Sequence, residues 1–123
     1  MNTRDVVNRY YELANRGEWN AWTDLFAEDQ VMQEQLAGRV EGRETLRSMM
    51  AGFPDMYAEF HNVPQHVVVD GEQAAVVSHI TARTHGGDTI TAEVANYFRI
   101  VDGRIRYMAN FHDTAPFAVL SGA

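Results

Sequence analysis

No cysteine and no lysine occur among the 123 residues, and only three prolines do. Without cysteine there is no disulfide, no thiolate nucleophile and no thiolate metal site. Without lysine no side-chain amine is present to form a Schiff base, since all 10 basic residues are arginines. The three serines, Ser48, Ser78 and Ser121, sit in no Gly-x-Ser-x-Gly elbow, which argues against a serine hydrolase. Positive charge is scarce as well: the net charge is −7 and the arginines stand singly, so no nucleic-acid partner is expected. No apolar run approaches the roughly 20 residues of a membrane span. The first residues lack a basic segment leading into an apolar one, so neither membrane partner nor signal peptide is expected, and the expected compartment is the cytoplasm. The five histidines, His61, His66, His79, His85 and His112, show neither His-x-His nor His-x-x-x-His spacing, so no metal and no other cofactor is expected.

What is present is a chain of 46% hydrophobic and 22% charged residues, a balance that points to one folded domain over 1–123. Its organising stretch is Thr89 to Asp113, where two β-rich runs flank Asp102-Gly103, a dipeptide suited to the positive backbone angles of a tight hairpin. Side chains alternate along a strand, so Val94, Asn96, Phe98 and Ile100 share one face, and Met108, Asn110 and His112 share one face of the returning strand. Asn96 is then a polar residue in an otherwise apolar row. Tyr97, Tyr107, Ala95 and Ala109 alternate to the opposite face, whose apolar character suggests a cover supplied by a second copy, a homodimer through the outer sheet face.

Upstream, Asn2 or Thr3 can cap a helix to about Asn15, with Val6, Val7, Tyr10, Leu13 and Ala14 at helical spacing. Arg16-Gly17 ends it. Glu18 to Ala27 reads as a second helix with Trp19, Trp22, Leu25 and Phe26 on one face. Gln30 to Leu36 reads as a short strand in which Met32, Glu34 and Leu36 face one way and Val31, Gln33 and Gln35 the other. A loop between Gly38 and Gly42 precedes a third helix, Arg43 to Gly52, closed by Phe53-Pro54. Strands follow over about Tyr57 to Val69 and Gln73 to His85, with turns at Asp70-Gly71 and Gly86-Gly87, and Pro64 marks the first as an edge or bulged strand. Thr114 to Ala123 reads as a loosely ordered tail in which Pro116, Phe117, Val119 and Leu120 could cover the mouth of a pocket. The fold class is α+β: a strongly curved, antiparallel (mixed) sheet wrapped around three N-terminal helices to form a conical cavity. Such a cavity holds a small, mostly apolar molecule.

Burial penalises a carboxylate's charge, so Glu34 between apolar neighbours is a candidate general acid–base, the alternative being an exposed or salt-bridged glutamate. Tyr10, on the apolar helix face, could donate to an oxyanion on a bound carbonyl, or pack its ring with its tip in water. Asn96 needs partners if buried, and its NH₂ could donate at any pH; Asn110 does likewise or pairs with Asn96. His112 is either a pocket-rim acid or base or a solvated strand end. Met108, Phe98, Trp22 and Met32 complete the expected ligand-binding set.

Three stretches carry a family likeness: Val6-Val7-Asn8-Arg9-Tyr10, Leu25-Phe26-Ala27-Glu28-Asp29 leading to Glu34, and Asn96-Tyr97-Phe98-Arg99-Ile100 before the Asp-Gly turn. With them the chain resembles the ketosteroid isomerase and SnoaL-like polyketide cyclase group of the nuclear transport factor 2-like cone fold. The resemblance implies that Tyr10 stands at the oxyanion-hole tyrosine, Glu34 at the proton-shuttling aspartate and Asn96 at the protonated aspartic acid. It also implies a cofactor-independent isomerase or cyclase acting on a small apolar carbonyl compound, the alternative being a carrier of the same fold that does no chemistry. An epoxide hydrolase of this fold uses Arg-x-Asp and a further aspartate, where this chain has Val94-Ala95-Asn96 and Asn110. That mechanism therefore ranks lower.

Overall fold

Helix α1, Thr3–Arg16, begins where Asn2 accepts the Asp5 N–H on its side chain at 2.8 Å, and ends where Gly17, at φ 70°, turns its N–H back on Ala14 and Leu13. Asp5 in the first turn and Arg16 in the last complement the helix dipole. Its buried face comprises Val6, Val7, Tyr10, Tyr11, Leu13 and Ala14. The structure, a computed structural model, describes residues 1–121.

Helix α2, Trp19–Thr23, is shorter than the Glu18–Ala27 expected, because Phe26 and Ala27 belong to strand β1, Phe26–Glu34. Two causes are visible. The Thr23 hydroxyl donates to the Trp19 carbonyl at 2.7 Å, the kind of back-bond that ends a short helix, and Phe26 is drawn into register with Ile105 of the last strand. The Gly38–Gly42 loop is also partly strand: β2, Gly38–Glu41, returns antiparallel to β1 with Val40 opposite Met32. Helix α3 spans Arg43–Met50, and Phe53-Pro54 opens one further turn, α4, Phe53–Met56. The helices are therefore not all stacked ahead of the strands.

From there the chain is a meander: β3, Glu59–Asp70; β4, Gln73–Arg83; β5, Thr89–Val101; and β6, Arg104–Phe111. The sheet order is β2-β1-β6-β5-β4-β3, with β1 and β6 parallel and the other neighbours antiparallel. Asp102 at φ 52° and Gly103 at φ 74° form the expected turn between β5 and β6. β3 is an edge strand, and its register slips between Pro64 and His66, as the proline requires. The free edge at Asn62 is closed by Asn15, whose side chain donates to the Asn62 carbonyl at 2.9 Å and accepts its N–H at 2.7 Å.

Two apolar clusters flank the concave side. One joins α1 to the sheet through Val6, Leu13, Phe26, Phe98, Ile105 and Met108. The other gathers Tyr57, Ile80, Ile90 and Val94 around Phe117 of the closing 3-10 helix, Ala115–Ser121, so the tail is helical over 115–121 rather than loose, while 122–123 lie outside the described residues. No helix among the described residues is long and apolar enough to cross a membrane.

Candidate active site

Between the two clusters lies a cavity of about 260 Å³. Strand alternation delivers its polar wall: Glu34 at the end of β1, Asn96 on β5, Asn110 on β6 and His112 one residue beyond β6 all open into it. Trp22 and Met32 line it as expected, and so does Tyr10. Phe98 and Met108, expected at the ligand, do not. Both are fully buried in the cluster under α1, where Phe98 packs edge-on to Tyr10 at 5.1 Å, because the helix crosses the sheet above them and takes the space a ligand would need.

Glu34 is neither exposed nor isolated. Its Oε1 accepts the Leu36 N–H at 2.8 Å, and its carboxylate meets His112 Nε2 at 3.1 and 3.2 Å. The His112 side chain is 5% exposed, far from a solvated strand end. Its other nitrogen, Nδ1, lies 2.9 Å from the Asp113 carbonyl, which can only accept, so Nδ1 carries a proton. Nε2 is left facing the Glu34 carboxyl, where a proton carried by either group closes the contact as a hydrogen bond.

Beside this pair stands an amide network. Asn96, 3% exposed, accepts the Tyr11 hydroxyl at 2.6 Å and the Ser78 hydroxyl at 3.2 Å on Oδ1, and donates to Asn110 Oδ1 at 2.7 Å. The tyrosine that holds Asn96 is Tyr11, while Tyr10, expected as an oxyanion donor beside Asn96, lines the cavity. Two donors remain unspent: the second Nδ2 proton of Asn96 and the NH₂ of Asn110. The Tyr10 hydroxyl likewise makes no hydrogen bond.

Burial, reinforced by the Glu34 charge, holds the Tyr10 phenol well above its ordinary value; burial first and Glu34 second push Tyr57 up to about 12. Tyr11 is raised by burial first and by Tyr10 second. All three are neutral donors at ordinary pH. Among the described residues no group of three or more His, Asp or Glu converges as a metal site.

Ser78 and Tyr11 were not singled out from the sequence. Ser78 carries the same signal as Asn96, a polar residue in the inward phase between Val76 and Ile80. Tyr11 follows Val7 by one helical turn and shares the buried arc with Tyr10, and spacing alone does not separate the two.

Residues 7–108 match the model of the SnoaL-like domain family. The chain belongs to that family. No curated protein matches it. Among solved structures, an NTF2-like protein of unknown function from Burkholderia pseudomallei K96243 is 21% identical, covering 100% of this chain and 99% of its own at a TM-score of 0.89. TerC, co-crystallised with polyporic acid, is 16% identical with 98% of each chain covered and a TM-score of 0.85. A protein of ketosteroid isomerase-like fold from Catenulispora acidiphila DSM 44928, in complex with trimethylamine, is 18% identical, covering 98% and 94% at a TM-score of 0.85. At these identities the likeness shows the fold alone, so the chemistry of this SnoaL-like domain has to be read from its own side chains.

Proposed function

We propose that this SnoaL-like protein is a cofactor-independent acid–base enzyme that moves a proton on a small, mostly apolar carbonyl compound. The observation that carries this reading is the Glu34–His112 pair, in hydrogen-bond contact at the wall of an apolar cavity beside unspent amide donors. The Glu34 carboxylate would take a proton from the carbon next to the carbonyl while the released electron pair moves onto the carbonyl oxygen. Asn110 Nδ2, the second Nδ2 proton of Asn96 and the Tyr10 hydroxyl are the donors that would meet the developing charge. Return of the proton from Glu34 to the far carbon of the conjugated system completes an isomerisation without consuming any other reagent.

The size of the hollow narrows the substrate. About 260 Å³ is below the roughly 300–1,000 Å³ of drug-sized pockets, which favours a compound of one or two rings over a four-ring steroid. The domain is further proposed to pair through its outer sheet face, where Val63, Val68, Val77 and Phe111 are 40–65% exposed, and to work in the cytoplasm.

The test is conversion of 3-cyclohexenone to its conjugated isomer, followed by ultraviolet absorbance. Glu34→Gln keeps a carbonyl oxygen for the Leu36 N–H and offers His112 an N–H donor, so the fold stays intact while turnover falls about 10²–10⁴-fold. Saturable binding without turnover by the wild-type protein would instead identify a carrier.

A further inference from the structure

Three buried polar atoms among the described residues have no partner: Trp22 Nε1, Gln30 Oε1 and Asn62 Oδ1. Two have an evident structural setting. Gln30 stitches β1 to β2 through its Nε2, which donates to the Val40 and Gly42 carbonyls, and the Trp22 ring is packed against Tyr10 and Phe26. Asn62 differs. It is 6% exposed, it lines the cavity, and neither end of its side-chain amide makes a hydrogen bond. Its backbone is already satisfied by Asn15, so the side chain is not needed to close the edge of the sheet. A buried idle amide costs stability that an apolar residue of the same size would not.

We infer that Asn62 is a second polar subsite of the cavity, which takes a neutral hydroxyl or carbonyl oxygen at the end of the ligand remote from the reacting carbonyl. The sheet register separates it from the acid–base pair's amide neighbours. Asn62 lies opposite Ile80 and Asn96 opposite Val76, so the two stand on either side of β4 and four residues apart along it, about 13 Å at ~3.3 Å per residue. One ligand atom cannot reach both. No arginine lines the cavity, so a carboxylate or phosphate would find no counter-charge at Asn62, whereas an uncharged oxygen is matched by the amide's Nδ2 donor. The ligand is thus a two-ended molecule, oxygen-bearing at each end with an apolar ring body between. This inference rests on the proposed site but concerns binding alone.

The experiment compares 1-tetralone with 6-hydroxy-1-tetralone, which differs by one hydroxyl across the ring system from the ketone. Binding is read from quenching of Trp19 and Trp22, the two tryptophans of the chain, both at the cavity wall. Wild-type protein should prefer the hydroxylated ketone about tenfold, the effect of one added neutral hydrogen bond. Asn62→Leu should abolish that preference, leave the affinity for 1-tetralone unchanged and unfold at the same or a higher temperature. Asn62→Asp, which keeps an acceptor but loses the NH₂, should lose most of the preference as well. Equal binding of the two ketones by the wild type, binding of neither, or a preference that survives in Asn62→Leu would overturn the subsite. Glu34→Gln should keep the tenfold preference, so loss of turnover in that variant and loss of discrimination in Asn62→Leu report on separate claims.

Discussion

Removing the two hydroxyls that hold Asn96, first singly and then together, probes whether the amide network is one unit. Tyr11 and Asn96 are 2% and 3% exposed, so water cannot replace a lost donor without opening the core. Tyr11→Phe deletes the 2.6 Å bond but keeps the ring against Tyr10 at 4.8 Å and Phe98 at 6.3 Å, and Ser78 still satisfies Asn96 Oδ1. The expected loss is that of one net hydrogen bond, about 1 kcal/mol. Ser78→Ala deletes the longer bond of 3.2 Å, for roughly 0.5–1 kcal/mol. Together they leave a buried carbonyl oxygen with no donor, which adds a desolvation penalty of about 1–3 kcal/mol that neither single change incurs. The double variant should therefore lose about 3–4 kcal/mol where additivity gives less than ~2. For a domain of this length about 4 °C accompanies each kcal/mol, so a double-mutant cycle by thermal unfolding should resolve a drop of some 12–16 °C against 6–8 °C. The Asn96 amide is also released from its fixed orientation, so turnover in the double variant should fall further than the product of the single effects. Additive losses within ~0.5 kcal/mol would refute the reasoning, because they would mean that Asn96 finds another donor or was never dependent on these two.

Phe98→Ala should cost about 3–5 kcal/mol by chemical denaturation, since Phe98 is fully buried in the core rather than at a ligand; a loss under 1 kcal/mol would return it to the cavity wall. Tyr57 titrates at 10.0 when unfolded and about 12 when folded, so its contribution is complete below pH 10 and is lost as pH rises through that window. Tyr10 and Tyr11 are raised in the same direction, and a phenolate absorbance that appeared fully at pH 10 in folded protein would contradict all three. Phe111→Arg with Val77→Glu, placing charge on the outer face, should convert a dimer to a monomer in sedimentation at micromolar concentration without lowering the unfolding cooperativity; a wild-type monomer would remove the proposed pairing.

Much of the site was legible from alternation. Val94, Asn96, Phe98 and Ile100 do share the buried face of β5, Met32 and Glu34 do face the cavity from β1, and Pro64 does mark a bulge on an edge strand. These hold because a period of two is set by backbone geometry and survives whatever packs above it. Less legible was anything that depends on which element lies over a given inward residue. Phe98 and Asn96 share a phase, yet one is roofed by α1 and the other opens on the hollow. Tyr10 and Tyr11 share a helical arc, yet the angle at which α1 crosses the sheet gives Asn96 to Tyr11 and the cavity to Tyr10. His112 could be placed in phase but not paired, because its partner lies 78 residues away.

The amino-acid sequence by itself determined the α+β class, the long β5–β6 hairpin with its Asp-Gly turn, the inward phase of Glu34, Asn96 and Asn110, and the absence of thiol and amine chemistry. Those are properties of neighbours along the chain, fixed by backbone period, turn stereochemistry and composition. Only the tertiary structure decided that β1 starts at Phe26 through parallel pairing with β6, that Glu34 meets His112, that Tyr11 anchors Asn96, and that Asn62 is left idle in the wall. Each is a contact between distant segments. Its existence depends on how a curved sheet and a crossing helix divide the same small volume, which no local pattern encodes.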